Sequence, residues 1–447
     1  MNNRLDNSPA ESSQPKIKET IIQLLSNLAS PKEINQYMER FVNAGQSHFA
    51  VIKVGGGVLE KDLDNLCSSL AFLERIGLFP IVVHGAGPQL NKNLEAKGIK
   101  SESLDGQRVT SAEVLKVAKK TFIQQNLKLA NGLQAMGVKT ASIPTGVFDA
   151  TMSSNKALGY VGEVTKIDLD PIEAAVNSGA IPILSSLAET ETGQILNVNA
   201  DIATNQLAIA VKPYKIIFLT DTGGLLGEDD KIISSVNLAT EFDDLMQQEW
   251  LHGGMKLKVK QIAEILEQLP ATASVSITSP MHLSKELFTH KGSGTLIRKG
   301  ESILTHPNGE NIDQDKLTKL FESSFKKVLD DDYFDKTKIQ TAYITQCYRA
   351  AAIITLENGI PYLDKFVVAE AAKGEGLGKT LWQKISAEND SLFWRCKPNN
   401  TINGFYFGNS DGCFKMPEWN LFWYGISDFQ RIQSCVDYAL NKTATLN

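Results

Sequence analysis

The chain has 447 residues, of which 42% are hydrophobic and 21% are charged, and its formal net charge is −6. This length exceeds the roughly 250 to 300 residues at which one hydrophobic core usually stops growing, so two or more domains are expected. The ordinary composition excludes a disordered or fibrous protein, and the acidic balance offers no basic surface for nucleic acid or an anionic membrane.

The sequence shows neither a membrane-spanning segment nor a signal peptide. No apolar run approaches the roughly 18 residues of a membrane span, and the opening MNNRLDNSPAESSQPK lacks the apolar core of a signal peptide. We therefore expect a cytoplasmic protein. Its cysteines lack CxxC and CxxxxH spacing, which favours reduced thiols and predicts no metal site. They are Cys67, Cys347, Cys396, Cys413 and Cys435.

Residues 1–47 are predicted to form a polar tail followed by two amphipathic helices. Apolar residues recur at helical spacing in residues 17–28, and a Ser-Pro pair precedes a second helix whose apolar face includes Ile34 and Phe41. Periodicity identifies an apolar face but not its partner. Packing on the same domain and pairing with a second subunit are therefore equal alternatives.

Residues 48–300 alternate short apolar strands, such as FAVIKVGGG, FPIVVHGAGPQL and YKIIFLTDTGGLL, with helices. This pattern predicts an α/β domain with a mostly parallel sheet sandwiched by helices. The polar, Pro- and Gly-containing stretch THPNGENIDQDK then predicts a linker at residues 301–312. Residues 313–447 have strands of their own, including RAAAIITLE and DKFVVAE, and are predicted to form a second, smaller α+β domain.

Two glycine turns follow strands of the first domain. Lys53 lies in a strand that ends in three glycines, and the next strand ends in HGAGP before a helix. Exposed backbone N–H groups and a helix N-terminus favour an anion, although each turn alone also fits a tight connection that needs glycine. The residues predicted to bind an anion at these turns are Gly55, Gly56, Gly57, Gly85 and Ala86.

Two later segments add ionisable residues. In LNVNAD, Asp201 precedes a helix and could be its N-cap, and in GGMKLK, Lys258 could be a solvated helix lysine. Each alternative is reasonable by itself. The ordered combination of VIKVGGG, VVHGAGP, GQRVT, LNVNAD and GGMxxK in one α/β domain argues against both.

This ordered set resembles the amino-acid kinase family, specifically its N-acetyl-L-glutamate kinases. The resemblance implies that Lys53 and Lys258 neutralise the transferring γ-phosphoryl group of ATP and that Asp201 holds both lysines. It implies Arg108 and Asn197 as ligands of acetylglutamate. It also implies glycine turns around the phosphates and the acceptor carboxylate, and Mg²⁺ that arrives with ATP. Phosphoryl transfer asks a protein mainly for positioning and charge stabilisation, which suits these residue types.

The segment KELFTHKGSGTLI (residues 285–297) resembles the part of feedback-inhibited members that, with the N-terminal helix, binds arginine. The effector residues implied are Glu286, Gly292 and Gly294. A helix that ends at a glycine turn is an equal alternative on sequence alone.

The second domain contains KGEGLGKT, which almost matches an ATP-binding phosphate loop. A Walker A motif needs four residues between its first glycine and GK[ST], but only three separate Gly374 from Gly378. The loop is closer to the [RQ]xxGxG[AG] motif of GNAT-type acetyltransferases, whose backbone amides bind the pyrophosphate of coenzyme A. Lys373, Gly374, Gly376 and Gly378 are therefore predicted to bind acetyl-CoA, with Lys373 in place of the usual Arg or Gln.

YLDKF, LFWRCKPNNTINGFYFGNSDGCF and LFWYGI resemble the acetyltransferase domain of vertebrate-like N-acetylglutamate synthases. The resemblance implies that Lys365, Arg395 and Asn400 bind glutamate or acetylglutamate and that Tyr406 protonates the leaving thiolate. Lys397 stands where the family often has arginine, so it keeps the charge but lacks the bidentate fork.

Both halves together resemble the bifunctional N-acetylglutamate synthase/kinases of arginine biosynthesis. The substrates implied are L-glutamate, N-acetyl-L-glutamate, acetyl-CoA and ATP, with L-arginine as effector, in a homo-oligomer without nucleic-acid or membrane partners. The alternative is a kinase whose C-terminal domain is regulatory and not catalytic. An inactive kinase fold is disfavoured because the charged residues expected for phosphoryl transfer are present.

Overall fold

The computed structural model describes residues 34, 38, 39, 41 and 49–446, apart from 105, 271–272, 290–291 and 374–375. The chain divides into two compact units, residues 1–299 and 300–447. Each unit has hydrophobic cores of its own. No helix among the described residues combines the length and apolar character that crossing a bilayer requires.

The first unit is an α/β structure. Its strands are β1 (Ala50–Val54), β2 (Ile81–His84), β3 (Ser103–Leu104), β4 (Gln107–Arg108), β5 (Thr140–Ile143), β6 (Phe148–Met152), β7 (Gly162–Ile167), β8 (Ile181–Ser185), β9 (Leu187–Glu189), β10 (Ile195–Asn197), β11 (Lys215–Leu219), β12 (Ser235–Asn237), β13 (Ser274–Thr278) and β14 (Thr295–Arg298). Its helices are α1 (Gly56–Lys61), α2 (Leu63–Arg75), α3 (Gly87–Glu95), α4 (Ala112–Ala135), α5 (Asp170–Asn177), α6 (Ala200–Val211), α7 (Leu238–Gln247), α8 (Gly253–Gln268) and α9 (Leu283–Phe288).

A mostly parallel eight-stranded sheet organises this unit. Its strand order is β12-β14-β13-β11-β1-β2-β8-β5, and only the β13–β14 pair is antiparallel. Alternate residues of β1 enter different cores: Ile52 packs with residues of α2 and α4, whereas Val51 packs with residues of α5 and α6. Helices therefore cover both faces of the sheet, as the sequence predicts.

The described residues of the N-terminal segment pack on this unit itself. Ile34, Met38 and Phe41 are buried in the core that contains α2, α4 and α9. The Phe41 ring makes edge contacts with Phe49 and with Phe288, at centroid distances of 4.8 and 5.6 Å. This apolar face therefore belongs to its own domain. The helix predicted for residues 17–28 lies outside the described residues.

The second unit contains an extended sheet with helices on both faces. Its strands are β15 (Ile303–Pro307), β16 (Ile339–Thr345), β17 (Ala350–Glu357), β18 (Ile360–Val368), β19 (Leu392–Cys396), β20 (Gly412–Lys415) and β21 (Asn420–Tyr424). Its helices are α10 (Gln314–Phe325), α11 (Tyr333–Lys336), α12 (Leu377–Glu388), α13 (Asn403–Gly408) and α14 (Phe429–Asn441).

The sheet order is β15-β16-β17-β18-β19-β21-β20, and every pair is antiparallel except β18–β19. Those two strands share a single register pair, Tyr362 with Phe393. Beyond Tyr362, β18 is paired along its length with β17 but no longer with β19. The sheet is therefore open between β18 and β19 beyond this pair.

The linker predicted at residues 301–312 is not a linker throughout. Ile303–Pro307 forms β15, which pairs antiparallel with β16 over Ile303 to Pro307. The Pro and Gly that indicated a linker instead end this strand and form the turn after it, where Asn308 and Gly309 have positive φ. The second unit thus begins with an edge strand, the position in which a proline is tolerated.

A glycine fixes the end of β21. Gly425 has φ +67°, and its N–H donates to Asp411 Oδ2 at 2.7 Å. A Cβ there would lie 1.9 Å from the backbone oxygen of Asp390. Both the backbone conformation and the space therefore require glycine.

Gly425→Ala should lower the free energy of unfolding of the second unit by at least about 2 kcal/mol, because it combines a left-handed backbone with a backbone clash. Gly404→Ala is the matched control, since a Cβ at this glycine of α13 would meet no described atom within 4 Å. Differential scanning calorimetry measures both. Equal stability of the two variants would contradict this account of Gly425.

Candidate active sites

Two lysines and one carboxylate meet in the first unit. Lys53 extends from β1, Asp201 from the first turn of α6 and Lys258 from α8. The Nζ atom of Lys53 lies 2.7 Å from Oδ1 of Asp201, and that of Lys258 lies 4.0 Å from Oδ2. All three side chains are largely buried but keep 12 to 22% exposure. An anion can therefore still approach the two ammonium groups.

The alternative role of Asp201, as the cap of the helix that follows it, is wrong. Asn199 is the N-cap of α6, and its side-chain oxygen accepts the N–H of Asp201 at 2.8 Å. Since Asn199 satisfies that donor, the Asp201 carboxylate is available to the lysines. The second alternative is wrong as well, because Lys258 is not a solvated surface lysine.

Burial and charge oppose each other in this cluster. Burial raises the pKa of Asp201, but Lys53 and Lys258 outweigh it and hold that pKa below its usual value. Burial lowers the pKa of Lys258; Asp201 partly offsets this, and repulsion from Lys53 adds to the lowering. The cluster carries one more positive than negative charge, which suits an anionic ligand.

The first glycine turn packs tightly against neighbouring segments. A Cβ at Gly56 would lie 2.7 Å from Cδ of Pro88, and one at Gly57 would lie 2.7 Å from Oδ2 of Asp221. Gly55 is less constrained, with the nearest atom 3.3 Å away. The turn after β1 thus lies directly against the start of α3, where a side chain at 56 would separate them, and against Asp221, which a side chain at 57 would displace.

The second glycine turn connects this arrangement to α6. The N–H of Gly85 donates to the Val54 oxygen at 3.0 Å, and a Cβ at Gly85 would lie 3.4 Å from Cβ of Ala200. Ala86 is the N-cap of α3 and has no side-chain acceptor for the N–H groups of that helix. The predicted residues of both turns therefore lie around the lysine cluster, because parallel strands end at the same edge of the sheet.

Arg108 and Asn197 belong to one hydrogen-bonded network. Asn197 is buried and donates from Nδ2 to Oγ1 of Thr110 at 3.1 Å, and the Thr110 hydroxyl donates to the Arg108 backbone oxygen at 2.9 Å. The Arg108 guanidinium donates to Ser101 and Asn91, and burial lowers its pKa. Thr110 thus links Arg108 and Asn197, the two residues predicted to bind acetylglutamate.

The predicted effector residues form a compact turn. Glu286 is buried, and its Oε2 accepts the N–H of Ser293 at 2.8 Å. Gly292 has φ +62° and lies against this carboxylate, while a Cβ at Gly294 would lie 2.2 Å from the backbone oxygen of Ile277. All three residues thus have a structural function, as the helix-and-turn alternative requires. Residues 290–291 within the segment are outside the described residues.

The glycine loop of the second unit opens α12. Gly376 is the N-cap, with φ +72°, and supplies no side chain to the first N–H groups of α12. Gly378 lies close to β18, where a Cβ would be 3.4 Å from Val368. Lys373 pairs with Glu370 at 2.5 Å, and Gly374 lies outside the described residues. The helix start thus retains the geometry that an anion needs.

Tyr406 is buried in an aromatic cluster on the α12 face of the sheet. Its ring centroid lies 5.4 Å from that of Trp394 and 6.3 Å from that of Phe366. Burial raises the pKa of Tyr406 well above its usual value. Burial also raises the pKa of neighbouring Cys396 to about 11, so this cysteine is a thiol near neutral pH.

Lys365 lies in a buried charged group. Its Nζ is 2.6 Å from Oδ2 of Asp364 and donates to Oγ1 of Thr445 at 2.7 Å. Lys442 approaches Oδ1 of Asp364 at 3.3 Å, and the Tyr333 hydroxyl donates to Oδ2 at 2.7 Å. Burial raises the pKa of Asp364, but the two lysines outweigh it and hold that pKa low.

Arg395 and Lys397 share an aromatic platform. Cζ of Arg395 lies 4.1 Å from the ring centroid of Trp419, and Nζ of Lys397 lies 3.9 Å from it. Arg395 also donates to the backbone oxygens of Ala439 and Thr443 at the end of α14. Arg395 therefore caps a helix in addition to any binding role.

Asn400 belongs to the turn between β19 and α13. It is exposed, and its Oδ1 accepts the N–H of Ile402 at 3.2 Å. The turn leads directly to the helix that contains Tyr406.

Tyr406, the predicted acid, lies on one face of the sheet, and Lys365 and Arg395, the predicted ligands of glutamate, lie on the other. Trp394 packs with Tyr406 and α12, whereas the next residue, Arg395, contacts α14. Likewise Phe366 contacts Tyr406, whereas Lys365 contacts Tyr333. Successive strand residues point to opposite faces, so the two sets can meet only through the opening between β18 and β19.

Three residues of this region were not identified from the sequence: Asp364, Lys442 and Trp419. Asp364 stands beside Lys365 in YLDKF, and this adjacency of opposite charges was the only available signal. Lys442 and Trp419 join the site through the packing of α14 and the β20–β21 hairpin. Among the described residues, no cluster of three or more His, Cys, Asp or Glu side chains could hold a metal ion.

Comparisons with known proteins match each unit separately. Residues 48–278 match the model of the amino acid kinase family, and residues 304–442 match that of the N-acetyltransferase domain of N-acetylglutamate synthase. An acetylglutamate kinase of Xanthomonas campestris pv. campestris is 50% identical, covering 94% of this chain and 100% of the relative. Human mitochondrial N-acetylglutamate synthase is 32% identical, and the match covers 92% of this chain and 76% of the human protein.

A solved structure extends the likeness of fold. N-acetylglutamate synthase from Neisseria gonorrhoeae, in complex with coenzyme A and N-acetyl-glutamate, aligns with a TM-score of 0.61 over 93% of this chain and 99% of that one. The two are 15% identical in sequence. This agreement supports the fold of the chain.

Two Glu286 variants separate the structural function of this residue from effector binding. Glu286→Ala should cost about 1 to 3 kcal/mol of stability, because it leaves the Ser293 N–H without its acceptor. Glu286→Gln keeps an acceptor oxygen and should stay close to wild type in thermal unfolding. Calorimetric titration with arginine then tests the charge: weaker binding by Glu286→Gln is expected, and unchanged affinity would remove the carboxylate from the effector site.

Proposed function

The chain belongs to the amino acid kinase family and carries the acetyltransferase domain of N-acetylglutamate synthases, and from this we propose a bifunctional enzyme of arginine biosynthesis. The second unit transfers the acetyl group of acetyl-CoA to the amine of L-glutamate. The first unit phosphorylates the γ-carboxylate of N-acetyl-L-glutamate with ATP. The observation that carries the kinase assignment is the Lys53–Asp201–Lys258 cluster at the edge where two glycine turns meet.

The kinase residues act by position and charge. The acceptor carboxylate attacks the γ-phosphorus, the bond to the β,γ-bridging oxygen breaks, and ADP leaves with the electron pair. Lys53 and Lys258 stabilise the negative charge that spreads over the transferring group and the leaving oxygen. Asp201 is a positioning residue that keeps both ammonium groups in place. Arg108 and Asn197 hold the acetylglutamate.

The glycine turns leave room for the phosphates at the carboxyl ends of β1 and β2. Mg²⁺ enters with ATP and would neutralise negative charge at the phosphates. This ion is commonly bound by one or two carboxylates and by substrate oxygens. The uncapped start of α3 supplies N–H groups to an anionic group of either substrate.

Acetyl transfer uses the opening between β18 and β19. The pyrophosphate of acetyl-CoA binds at the start of α12, and the unpaired edge of β18 can hydrogen-bond the pantetheine amides as an added strand would. Glutamate binds from the α14 side at Lys365 and Arg395, with Asn400 at the strand end. The deprotonated amine attacks the thioester carbon, and the carbon–sulfur bond breaks with its electron pair going to sulfur. Tyr406 gives its proton to that sulfur, the amide nitrogen releases a proton to water, and water returns a proton to the phenolate.

The environment of Tyr406 suits this role. A phenol whose pKa is raised by burial remains protonated near neutral pH and therefore keeps its proton available for the thiolate. Phe366 and Trp394 hold the ring at the opening.

One observation favours a second candidate function, in which the second unit is not catalytic. Lys365 is already paired with Asp364, and Arg395 is already bonded to backbone oxygens at the end of α14. Side chains with such internal partners also fit a domain that binds its ligand weakly or only to regulate the kinase. In that case the chain would be an acetylglutamate kinase with a non-catalytic second unit.

One pair of assays separates the candidates. The purified chain is given acetyl-CoA and glutamate in one reaction and Mg-ATP and acetylglutamate in another. Product in both reactions is expected, and product in the second alone would establish the regulatory alternative. In the same proposal the enzyme is a cytoplasmic homo-oligomer and binds L-arginine near Glu286.

Lys258→Met should reduce acetylglutamate phosphorylation at least about 100-fold while acetyl transfer continues, because it removes a charge that faces the transferring group. Lys260→Met, an exposed lysine on the same helix, is the control and should retain both activities. A steady-state assay of each reaction provides the readout. Parallel loss of both activities in folded Lys258→Met would argue against separate sites.

Two substitutions in the second unit should fail differently. Gly376→Val should weaken acetyl-CoA binding, because it blocks backbone approach and strains a left-handed position. Tyr406→Phe should retain binding but lower turnover by about 10²- to 10⁴-fold, as expected for a lost general acid. Kinase activity in the same preparations is the control for the first unit, and thermal unfolding of each variant shows whether the second unit is folded. Full acetylation turnover by Tyr406→Phe, measured where chemistry limits the rate, would exclude Tyr406 as the acid.

A further inference from the structure

Lys442 occupies an unusual place for a residue at a helix end. It is the C-cap of α14, and its side chain is only 18% exposed. Its ammonium lies 3.3 Å from Oδ1 of Asp364 and donates to the Tyr438 hydroxyl at 2.9 Å. A lysine that served only to interact with the helix C-terminus would instead lie in solvent.

One oxygen of Asp364 is paired without Lys442, which contacts the other oxygen. Its Oδ2 is already contacted by Lys365 at 2.6 Å and by the Tyr333 hydroxyl at 2.7 Å, and its side chain is 2% exposed. The β17–β18 register shifts between Ile353 and Ile354, so Asp364 is the extra residue of a β-bulge. Bulges redirect side chains, and here the bulge turns neighbouring opposite charges toward one place.

The cluster has an excess of positive charge. Burial is the main cause that lowers the pKa of Lys365, and repulsion from Lys442 and Arg395 adds to it, so these three cations act on the same region. Asp364 is the carboxylate among them, and Glu357 interacts with Tyr438 at the edge. Among the described groups that act on Lys365 and Tyr438, with Glu357 counted, one positive charge has no carboxylate partner. Exposed Asp437 lies outside this group, on the pocket side of α14. Burying unpaired charge is costly, so an anionic ligand would stabilise this arrangement.

Lys442 is also reachable from outside. It lines an open pocket of about 650 Å³ beside α14, together with Asn358, Tyr438, Asn441 and the exposed carboxylate Asp437. Lys442 is the cation among the lining residues. This volume is in the range of small-molecule sites. Lys442 thus stands between the buried carboxylate and a space that a small ligand can enter.

We propose that Lys442 is a further cation of the acetyl-acceptor site, where it binds one carboxylate of a dicarboxylic amino acid, and that Asp364 is the positioning residue that holds Lys442 beside Lys365. The inference rests on the proposed acetyl transfer to glutamate. It adds a residue from α14 to a site whose other ligands come from β18 and β19.

The test compares Lys442→Met and Lys442→Arg with Lys384→Met, which removes a surface lysine paired with Glu388 on α12. For Lys442→Met the KM for glutamate should rise about 10- to 100-fold with kcat changed little, as for a lost hydrogen bond to a charged group. Lys442→Arg should restore much of the affinity. Lys384→Met and the kinase reaction of every variant should match wild type.

Substrate selectivity distinguishes ligand binding from a purely structural role. Wild type should prefer glutamate over its two monoamides, glutamine and isoglutamine. In Lys442→Met this preference should fall for the monoamide that lacks the carboxylate bound by Lys442. Unchanged KM and unchanged selectivity, with or without a lower Tm, would overturn the proposal.

A labelling experiment on the unmodified enzyme covers the case in which Lys442→Met does not fold. Acetylglutamate should protect Lys442 from an amine-reactive reagent, as measured by mass spectrometry, while Lys384 is labelled equally with and without ligand. Equal labelling of Lys442 at saturating acetylglutamate would overturn the proposal. Absence of glutamate acetylation by wild type is a separate result, because it would reject the proposed function itself.

Discussion

A buried carboxylate flanked by two lysines is the interaction on which each unit depends. Asp201 holds Lys53 and Lys258 in the first unit, and Asp364 holds Lys365 and Lys442 in the second. Removing such a carboxylate would leave two cations poorly compensated, at a cost of about 3 to 5 kcal/mol. In both units the lysines outnumber the carboxylate, so the charge that remains attracts an anionic substrate to a place where water is largely excluded.

Strand geometry decides where these clusters stand. In the first unit, parallel β1 and β2 end at one edge, so their glycine turns meet the start of α6 and its Asp201. In the second unit the parallel pair of β18 and β19 separates after Tyr362 and Phe393 and opens a path through the sheet. Acetyl donor and acceptor can approach this opening from opposite faces. In the proposed mechanism, the same backbone feature lets Tyr406 and Lys365 serve one reaction without being neighbours.

Sequence reasoning identified the residues whose chemistry is local to a motif. Lys53, Asp201 and Lys258 were chosen from short patterns, and the structure brings them within ion-pair distance. Asn199 was not recognised as the helix cap because Asn and Asp at this spacing are both good caps. Lys442 and Trp419 were missed because their contacts with Asp364 and Arg395 depend on how α14 and a hairpin pack, which no local pattern records. The polar, proline-containing residues at the end of Ile303–Pro307 predict a linker, but strand pairing with β16 makes this segment an edge strand.

The central claim is that one chain carries two centres that act in succession, and a single labelling measurement tests it. Wild-type enzyme is incubated with carbon-14-labelled acetyl-CoA, glutamate and Mg-ATP, without added acetylglutamate, and the acyl phosphate is trapped with hydroxylamine. The account predicts labelled N-acetylglutamate γ-hydroxamate, separated by chromatography from the acetohydroxamate that hydroxylamine forms directly with acetyl-CoA, because the acetyl group must pass through the second unit before the first unit phosphorylates its product. Unlabelled hydroxamate formed only when acetylglutamate is supplied, with none from glutamate, would contradict it.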